Sequence, residues 1–84
     1  MNEIRIEKIL EIINLNIENA DIKTEHIDQD LQELGMDSIS FIRIIVSLEE
    51  EFELEIPDEF LIITEMNTVN KINNVLMSAR RSDD

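Results

Sequence analysis

The segment LGMDSISFIRIIVSLEEEF, residues 34–52, decides the fold because a helix start, a long apolar run and an acidic end follow one another within it. Gly35 is the only glycine of the chain, and it allows a sharp, left-handed turn of the backbone. Asp37 suits the N-cap of a helix, where its carboxylate accepts hydrogen bonds from backbone amides one turn farther on. The segment therefore predicts a turn followed by a helix from Ser38 to Phe52.

The apolar residues of this helix form two stripes on a helical wheel drawn at about 100° per residue. The first stripe is wide enough to bury the helix in a core, and it consists of Phe41, Ile44, Ile45, Leu48 and Phe52. The second stripe lies roughly opposite and consists of Ile39, Ile42 and Val46. Because so small a domain cannot bury a helix on all sides, we expect this second stripe to be partly exposed and to contact other proteins. The alternative is that a short neighbouring helix covers it.

The rest of the chain predicts three further helices and no sheet, since no segment alternates with period two. A first helix is expected over Asn2–Asn16, a short third helix after Pro57, and a fourth helix over Thr68–Arg80. A long loop, fastened to the core by Leu31 and Leu34, joins the first two helices. The apolar residues behind these predictions are Ile6, Ile9, Leu10, Ile13, Ile17, Phe60, Leu61, Ile63, Val69, Ile72, Val75, Leu76 and Ala79. We predict an all-α fold, a small four-helix bundle with a long loop between helices 1 and 2 and a short helix 3.

Length and charge limit the classes of function. With 84 residues, the chain is expected to form one domain over residues 1–84 and to act as a monomer. Its net charge of -13 disfavours nucleic acids and anionic membranes and favours basic protein partners, although solubility alone would also explain it. It has no cysteine for a disulfide or a metal site, and its first residues resemble neither a secretory signal nor a membrane span. We expect a cytoplasmic protein.

Ser38 is expected at an accessible helix start, where the positive end of the helix dipole would stabilise a phosphate on its oxygen. A catalytic serine would need a neighbouring base, but the only histidine, His26, falls in the loop and no G-x-S-x-G motif is present. We therefore expect no enzymatic activity. On these residues alone, Ser38 could equally be a capping or surface serine. A calcium loop starting at Asp28 is excluded because Glu33 and Ile39 occupy the positions that require glycine and glutamate.

An ordered set of motifs resembles the acyl carrier protein family, which includes the carrier domains of polyketide and nonribosomal peptide assembly. The signature of that family is Leu-Gly-x-Asp-Ser followed by Leu or Ile at the start of its second helix. This chain matches the signature at Leu34, Gly35, Asp37, Ser38 and Ile39. The motifs LEEEF (48–52), EIPDE (55–59) and TVNKI (68–72) follow at nearly the spacing of the family. The resemblance covers almost the whole chain, from the first helix to the fourth.

The resemblance implies that Ser38 is the covalent attachment site of 4'-phosphopantetheine. Gly35 and Asp37 would belong to the same cofactor-binding site, as the turn and the cap that position Ser38. A separate phosphopantetheinyl transferase would supply this arm from coenzyme A in a Mg²⁺-dependent reaction, and the thiol of the arm would carry cargo as a thioester. Other implied partners are an acyl- or aminoacyl-loading enzyme and synthase or tailoring enzymes with basic docking patches. The residues implied in docking are Ile39, Ile42, Arg43, Val46, Glu49 and Glu50. The protein itself would hold no metal and would catalyse nothing.

The chain departs from the family pattern at several positions. Many fatty acid synthase carriers have an acidic residue in place of Arg43, and Phe41 is bulkier than the usual residue. Glu53 and Leu54 follow the LEEEF motif, where a glycine is common. These departures favour a discrete carrier of a specialised polyketide or hybrid pathway. The alternatives are an aminoacyl or peptidyl carrier of a nonribosomal peptide pathway, a fatty acid synthase carrier, and, more remotely, a helical adaptor that would not need Ser38.

Overall fold

The computed structural model describes residues 4–81, and within that range the chain forms three α-helices and no strand. The helices are α1 (Ile6–Asn16), α2 (Ser38–Phe52) and α3 (Val69–Arg81). Short 3₁₀ turns lie at Thr24–His26, Asp58–Phe60 and Ile63–Glu65. The all-helical prediction is confirmed, and α2 has the predicted bounds. The first helix begins four residues later than predicted, at Ile6, and its predicted start at Asn2 lies outside the described residues.

The core is built mainly from aliphatic side chains, and α1 packs against both α2 and α3. Each helix buries one face, as the spacing of its apolar residues predicts. The buried residues of the three helices are Ile9, Leu10, Ile12 and Ile13 in α1, Phe41, Ile44, Ile45, Leu48 and Phe52 in α2, and Val69, Ile72, Val75, Leu76 and Ala79 in α3. Burying one such large aliphatic or aromatic side chain contributes about 1.5–3 kcal/mol, so this shared core holds the helices together.

Residues 17–37 connect α1 to α2 and are fastened to the rest of the molecule by hydrogen bonds as well as by apolar contacts. The side chain of Asn14 brackets Ile22: it accepts from the amide of Ile22 at 2.8 Å and donates to its carbonyl at 3.0 Å. Leu31 is fully buried, and its amide donates to the carbonyl of Asn67 at 2.7 Å. The connection is therefore tied to α1 at one point and to the start of α3 at another, which holds its far end where α2 begins.

The short helix predicted after Pro57 is not confirmed as an α-helix: the segment forms two separate 3₁₀ turns, at Asp58–Phe60 and Ile63–Glu65. The run of Ile and Thr at residues 62–64 is β-branched, and such residues lose side-chain freedom in a helix. The four-helix bundle is therefore not confirmed: in the described residues, three α-helices are joined by connections that contain 3₁₀ turns.

Apolar contacts of the segment after α2 differ from the prediction at one of three anchors. Phe60 and Ile63 are half-buried and pack on the core, but Leu61 remains 39% exposed. Ile56 and Met66, which were not predicted as anchors, are almost completely buried. The segment is therefore buried most deeply at its two ends, with partial contacts to the core between them.

The turn after α2 forms without the glycine that the family pattern has there. Glu53 takes the left-handed conformation, with φ 53° and ψ 51°, and its amide donates to the carbonyl of Glu49. The carboxylate of Glu49 also accepts from the amide of Ile56 at 2.9 Å. A left-handed conformation costs a residue other than glycine about 1–2 kcal/mol, and these hydrogen bonds offset part of that cost. Glu53 thus replaces the usual glycine at this position, and the left-handed turn is still formed.

Candidate functional site

The turn that leads into α2 depends on Gly35, whose φ of +112° is disfavoured for residues with a side chain. A Cβ placed at this position would lie 3.2 Å from the Cγ2 atom of Ile17, which is closer than an ordinary contact. The next residue, Met36, is buried, and its amide donates to the carbonyl of Leu31 at 2.9 Å. The bend predicted at Gly35 is thus confirmed, and it links a buried residue to the start of a helix.

Asp37 is the N-cap of α2 and forms a reciprocal pair of hydrogen bonds with Ser40. The Asp37 carboxylate accepts from the Ser40 amide at 2.8 Å, and the Ser40 hydroxyl oxygen accepts from the Asp37 amide at 2.8 Å. The Ser40 hydroxyl also lies 3.0 Å from Asp37 Oδ1 and 3.1 Å from the Asp37 carbonyl oxygen, and can donate to either. This arrangement is a capping box, which satisfies amides that a helix start otherwise leaves unpaired. The backbone on both sides of Ser38 is therefore fixed.

The charge of Asp37 is stabilised by the same contacts. The pKa of the Asp37 carboxyl is lowered, chiefly because the Ser40 amide donates to it, and the Ser40 hydroxyl acts in the same direction. A carboxylate at the first turn also interacts favourably with the positive end of the helix dipole. Asp37 consequently remains negative at neutral pH, directly beside Ser38.

Ser38 is the first residue of α2, and its side chain is exposed. The Ser38 hydroxyl forms no hydrogen bond with the described residues, so its oxygen is accessible to an incoming reagent. The histidine that would be needed for a catalytic pair is engaged in its own turn, where Nδ1 of His26 accepts from the Lys23 amide at 2.9 Å. The Ser38 oxygen is therefore open to solvent, while the Nδ1 atom of His26 is already bonded within its own turn.

The second apolar stripe of α2 is exposed, which confirms the prediction about its burial. Ile39 is 63% exposed, Ile42 is 61% exposed and Val46 is 47% exposed. The 3₁₀ turns that replace the predicted third helix leave these side chains open to solvent, so the alternative of a covered stripe is wrong. We call these three residues, which run along α2 from the residue after Ser38, the exposed stripe.

The acidic residues predicted beside the exposed stripe differ from each other. Glu49 is half-buried, and one of its carboxylate oxygens holds the amide of Ile56. Glu50 is exposed and forms no hydrogen bond or ion pair with the described residues. Glu49 therefore has a structural task that periodicity does not reveal, whereas Glu50 is available to a partner.

A shallow groove of about 270 Å³ lies between α1 and α2, toward the C-terminal part of α2. Its lining residues are Ile12, Leu15, Asn16, Ser47, Glu50 and Glu51. Of the predicted site residues, only Glu50 lines this groove. Glu50 lies about 18 Å from Ser38 along the helix axis, at a rise of 1.5 Å per residue. Within residues 4–81, no group of three or more His, Asp or Glu side chains is placed to hold a metal ion.

Two residues of this region were missed by sequence reasoning. Ser40 completes the capping box, and the spacing Asp-x-x-Ser from Asp37 could have indicated it. The amide of Ile56 donates to the carboxylate of Glu49, seven residues back, and no helical or strand period predicts such a contact. Both residues act on the ends of α2 and not on its exposed stripe.

None of the helices in the described range is long and apolar enough to cross a bilayer. Comparison with known proteins gives a family match and no match to a solved structure. No solved structure matches the chain closely enough to count as similar. A family model described as "Phosphopantetheine attachment site" matches residues 7–75, a range that contains the capping box, Ser38 and the exposed stripe. Because that match spans most of the sequence, the chain belongs to the family of carrier proteins to which 4'-phosphopantetheine is covalently attached.

Proposed function

We propose that this chain acts as an acyl carrier protein whose arm is attached to the hydroxyl oxygen of Ser38. The observation that carries the proposal is the exposed, unbonded hydroxyl at the first residue of α2, held between the two partners of the capping box. Ser38 suits the attachment of a 4'-phosphopantetheine arm because its hydroxyl is accessible from solvent and the capping box holds its backbone in place. In the attached state, the arm supplies a terminal thiol that holds cargo as a thioester.

Attachment requires a separate transferase, since none of the described residues accepts a hydrogen bond from the Ser38 hydroxyl. The Ser38 oxygen forms a bond to the phosphorus nearest the pantetheine of coenzyme A. The bond from that phosphorus to the bridging pyrophosphate oxygen breaks, adenosine 3',5'-bisphosphate leaves, and the transferase takes the serine proton. Asp37 already uses the Ser40 amide, so that amide is not free to bind the new phosphodiester. The like charges of Asp37 and the phosphodiester favour an arm that stays in solvent.

The exposed stripe supports a docking role toward the enzymes that load and use the arm. It starts one residue after Ser38, so a protein that covers it also reaches the serine. Acidic residues beside the stripe favour basic patches on those enzymes, through steering and complementarity. Glu50 is the freer of the two acids, and Asp37 adds charge at the helix start. Glu49 contributes through the part of its carboxylate that does not bind Ile56.

We further propose a specialised polyketide or hybrid pathway, on the strength of Arg43 in the docking region. The alternatives are a carrier of aminoacyl or peptidyl groups and a carrier of a fatty acid synthase. Mass spectrometry of the acyl group on protein purified from its native host separates the three. A polyketide-type acyl group supports the proposal, and an aminoacyl or ordinary fatty acyl group contradicts it.

The attachment site is tested by incubating the chain with coenzyme A and a broad-specificity phosphopantetheinyl transferase and then measuring intact mass. We expect complete addition of one phosphopantetheine to the wild type and none to Ser38→Ala, because that variant lacks the accepting oxygen. Ser78→Ala, which alters an exposed serine on α3, is the matched control and should be loaded like the wild type. Fragmentation of the product should place the group on Ser38.

The same experiment separates the carrier from a helical adaptor that binds only through the exposed stripe. An adaptor would leave Ser38 unmodified in a protein that circular dichroism shows to be folded. That outcome, or loading of Ser38→Ala at the wild-type rate, would contradict the proposed function.

A further inference from the structure

Basic side chains are few in this acidic chain, and all but one of those that the structure describes interact with neighbours in the chain. Lys8 pairs with two glutamates, Lys23 pairs with Asp21, and Lys71 donates to Thr64 and Asn67. Arg5 also interacts within the chain. Arg43 is the exception: it is exposed and forms no hydrogen bond or ion pair with the described residues.

Arg43 lies on the same side of α2 as the exposed stripe. It follows Ile39 by four residues and precedes Val46 by three, and side chains at these spacings are neighbours on a helix surface. Ile39 and Val46 are both exposed, so the guanidinium group stands beside two apolar side chains that solvent reaches. A protein that covers these side chains would therefore also meet the unpaired positive charge.

Within residues 4–81, no contact accounts for Arg43. It is the sixth of fifteen residues in α2, too far from either end to interact strongly with the helix dipole. Glu49 and Glu50 lie six and seven residues farther on, and neither forms an ion pair with it. One cation has little effect on solubility when the net charge is -13. The charge of Arg43 is therefore available to a protein that binds the exposed stripe.

We propose that Arg43 is a specificity-determining residue, which selects partner enzymes that present an acidic side chain to it and disfavours enzymes whose docking face is uniformly basic. The inference rests on the proposed function and names the chemistry of the partner. A guanidinium group binds a carboxylate through two parallel hydrogen bonds, which gives orientation as well as attraction. Two like charges brought together as water leaves the interface repel each other, which penalises the wrong partner.

The first experiment uses a broad-specificity phosphopantetheinyl transferase with a basic carrier-binding face and measures kcat/KM for loading of Ser38. Arg43→Glu removes the repulsion, and we expect it to raise kcat/KM about fivefold or more at low salt, with a smaller gain at high salt. Lys23→Glu is the matched control: it changes the net charge equally, at an exposed position in the connection between α1 and α2. Because Lys23 is not part of the exposed stripe, Lys23→Glu changes only the long-range steering that depends on total charge. Its kcat/KM should therefore stay within about twofold of the wild type.

The second experiment reverses, one at a time, each Lys or Arg of the transferase face to Glu. We expect one reversal to improve loading of the wild-type chain and to impair loading of Arg43→Glu, which identifies the residue opposite Arg43. Equal kcat/KM values for Arg43→Glu and Lys23→Glu, or a transferase set without any such crossed pair, would overturn the inference. If no variant is loaded at all, the proposed function fails instead, so the two failures are distinguishable.

Discussion

At its start and at its end, α2 meets a residue with positive φ and a carboxylate that accepts a backbone amide. At the start these residues are Gly35, with φ +112°, and Asp37. At the end they are Glu53, with φ 53°, and Glu49. The same two devices therefore bound the helix on both sides, although the residue with positive φ is a glycine at one end only.

The two ends differ in how far the carboxylate reaches. Asp37 binds an amide three residues ahead, within the first turn, and leaves Ser38 exposed between the bonded groups. Glu49 binds the amide of Ile56, seven residues ahead, and so holds the next segment where the Ile56 side chain is buried. A short reach presents one residue to solvent, whereas a long reach fastens the chain to the core.

Replacing the residue with positive φ should have opposite effects at the two ends, and this is the largest change we expect. Gly35→Ala should lower the free energy of unfolding by about 2–3 kcal/mol, because alanine would be strained at a φ of +112° and its Cβ would meet Ile17. Glu53→Gly should raise it by up to about 1 kcal/mol, since glycine adopts the left-handed conformation without strain. Urea unfolding followed by far-UV circular dichroism measures both. A loss at both positions would mean that Glu53 supplies more than the turn.

Removing the long-reaching carboxylate should have the next largest effect. Glu49→Ala leaves the nearly buried amide of Ile56 without its acceptor and should cost about 1–2 kcal/mol of unfolding free energy. Glu49→Gln keeps an oxygen at the same place and should lose less. Glu50→Ala is the control at an exposed neighbour and should stay within about 0.5 kcal/mol of the wild type. Equal losses for the Ala variants at 49 and 50 would show that the bond to Ile56 contributes nothing.

Asp37, whose carboxylate binds an amide only three residues ahead, should have the smallest effect on the free energy of unfolding. We expect this effect to depend on pH. The pKa of Asp37 is lowered in the folded protein, chiefly by the Ser40 amide, so its charge stabilises the folded state above the unfolded pKa of about 3.9. That contribution is lost as pH falls through the lower, folded pKa. Asp37→Asn keeps a capping oxygen without the charge. We expect wild type and variant to differ most at neutral pH and to converge below about pH 4.

Urea unfolding of both proteins at a series of pH values from neutral to acid measures this difference directly. The other acidic groups are shared by the two proteins, so most of their effect cancels in the comparison. A difference that stays constant over the whole pH range would contradict a lowered pKa at Asp37.

Much of α2 was predictable because its determinants are local. The cap at Asp37 and the apolar spacing up to Phe52 give the bounds that the structure has. Non-local contacts explain what was missed: the amide of Ile56 finds an acceptor seven residues back, and Leu31 is bonded to Asn67 across the molecule. The short third helix was predicted from Pro57 and nearby apolar residues, but β-branched neighbours divide that segment into turns.

The candidate site was predictable to the same degree and for the same reason. Ser38, Asp37 and Gly35 occupy successive local positions whose geometry follows from residue type. The burial of one stripe of α2 and the exposure of the other also follow from the small size of the chain. That Arg43 has no partner among the described residues could not be predicted, since it depends on where their acidic side chains lie after folding.

The tie between the connection and α3 has a consequence for the time at which Ser38 becomes ready during synthesis on the ribosome. The Asn70 amide donates to the carbonyl of Ile27 at 3.0 Å, and the Asn70 side chain donates to the carboxylate of Asp28 at 2.6 Å. The side-chain contact joins residues that are 42 positions apart in sequence, and the backbone contact involves the neighbouring residue. An emerging chain that ends before Asn70 lacks both, so the segment in front of the serine gains these two ties only after Asn70 has been made.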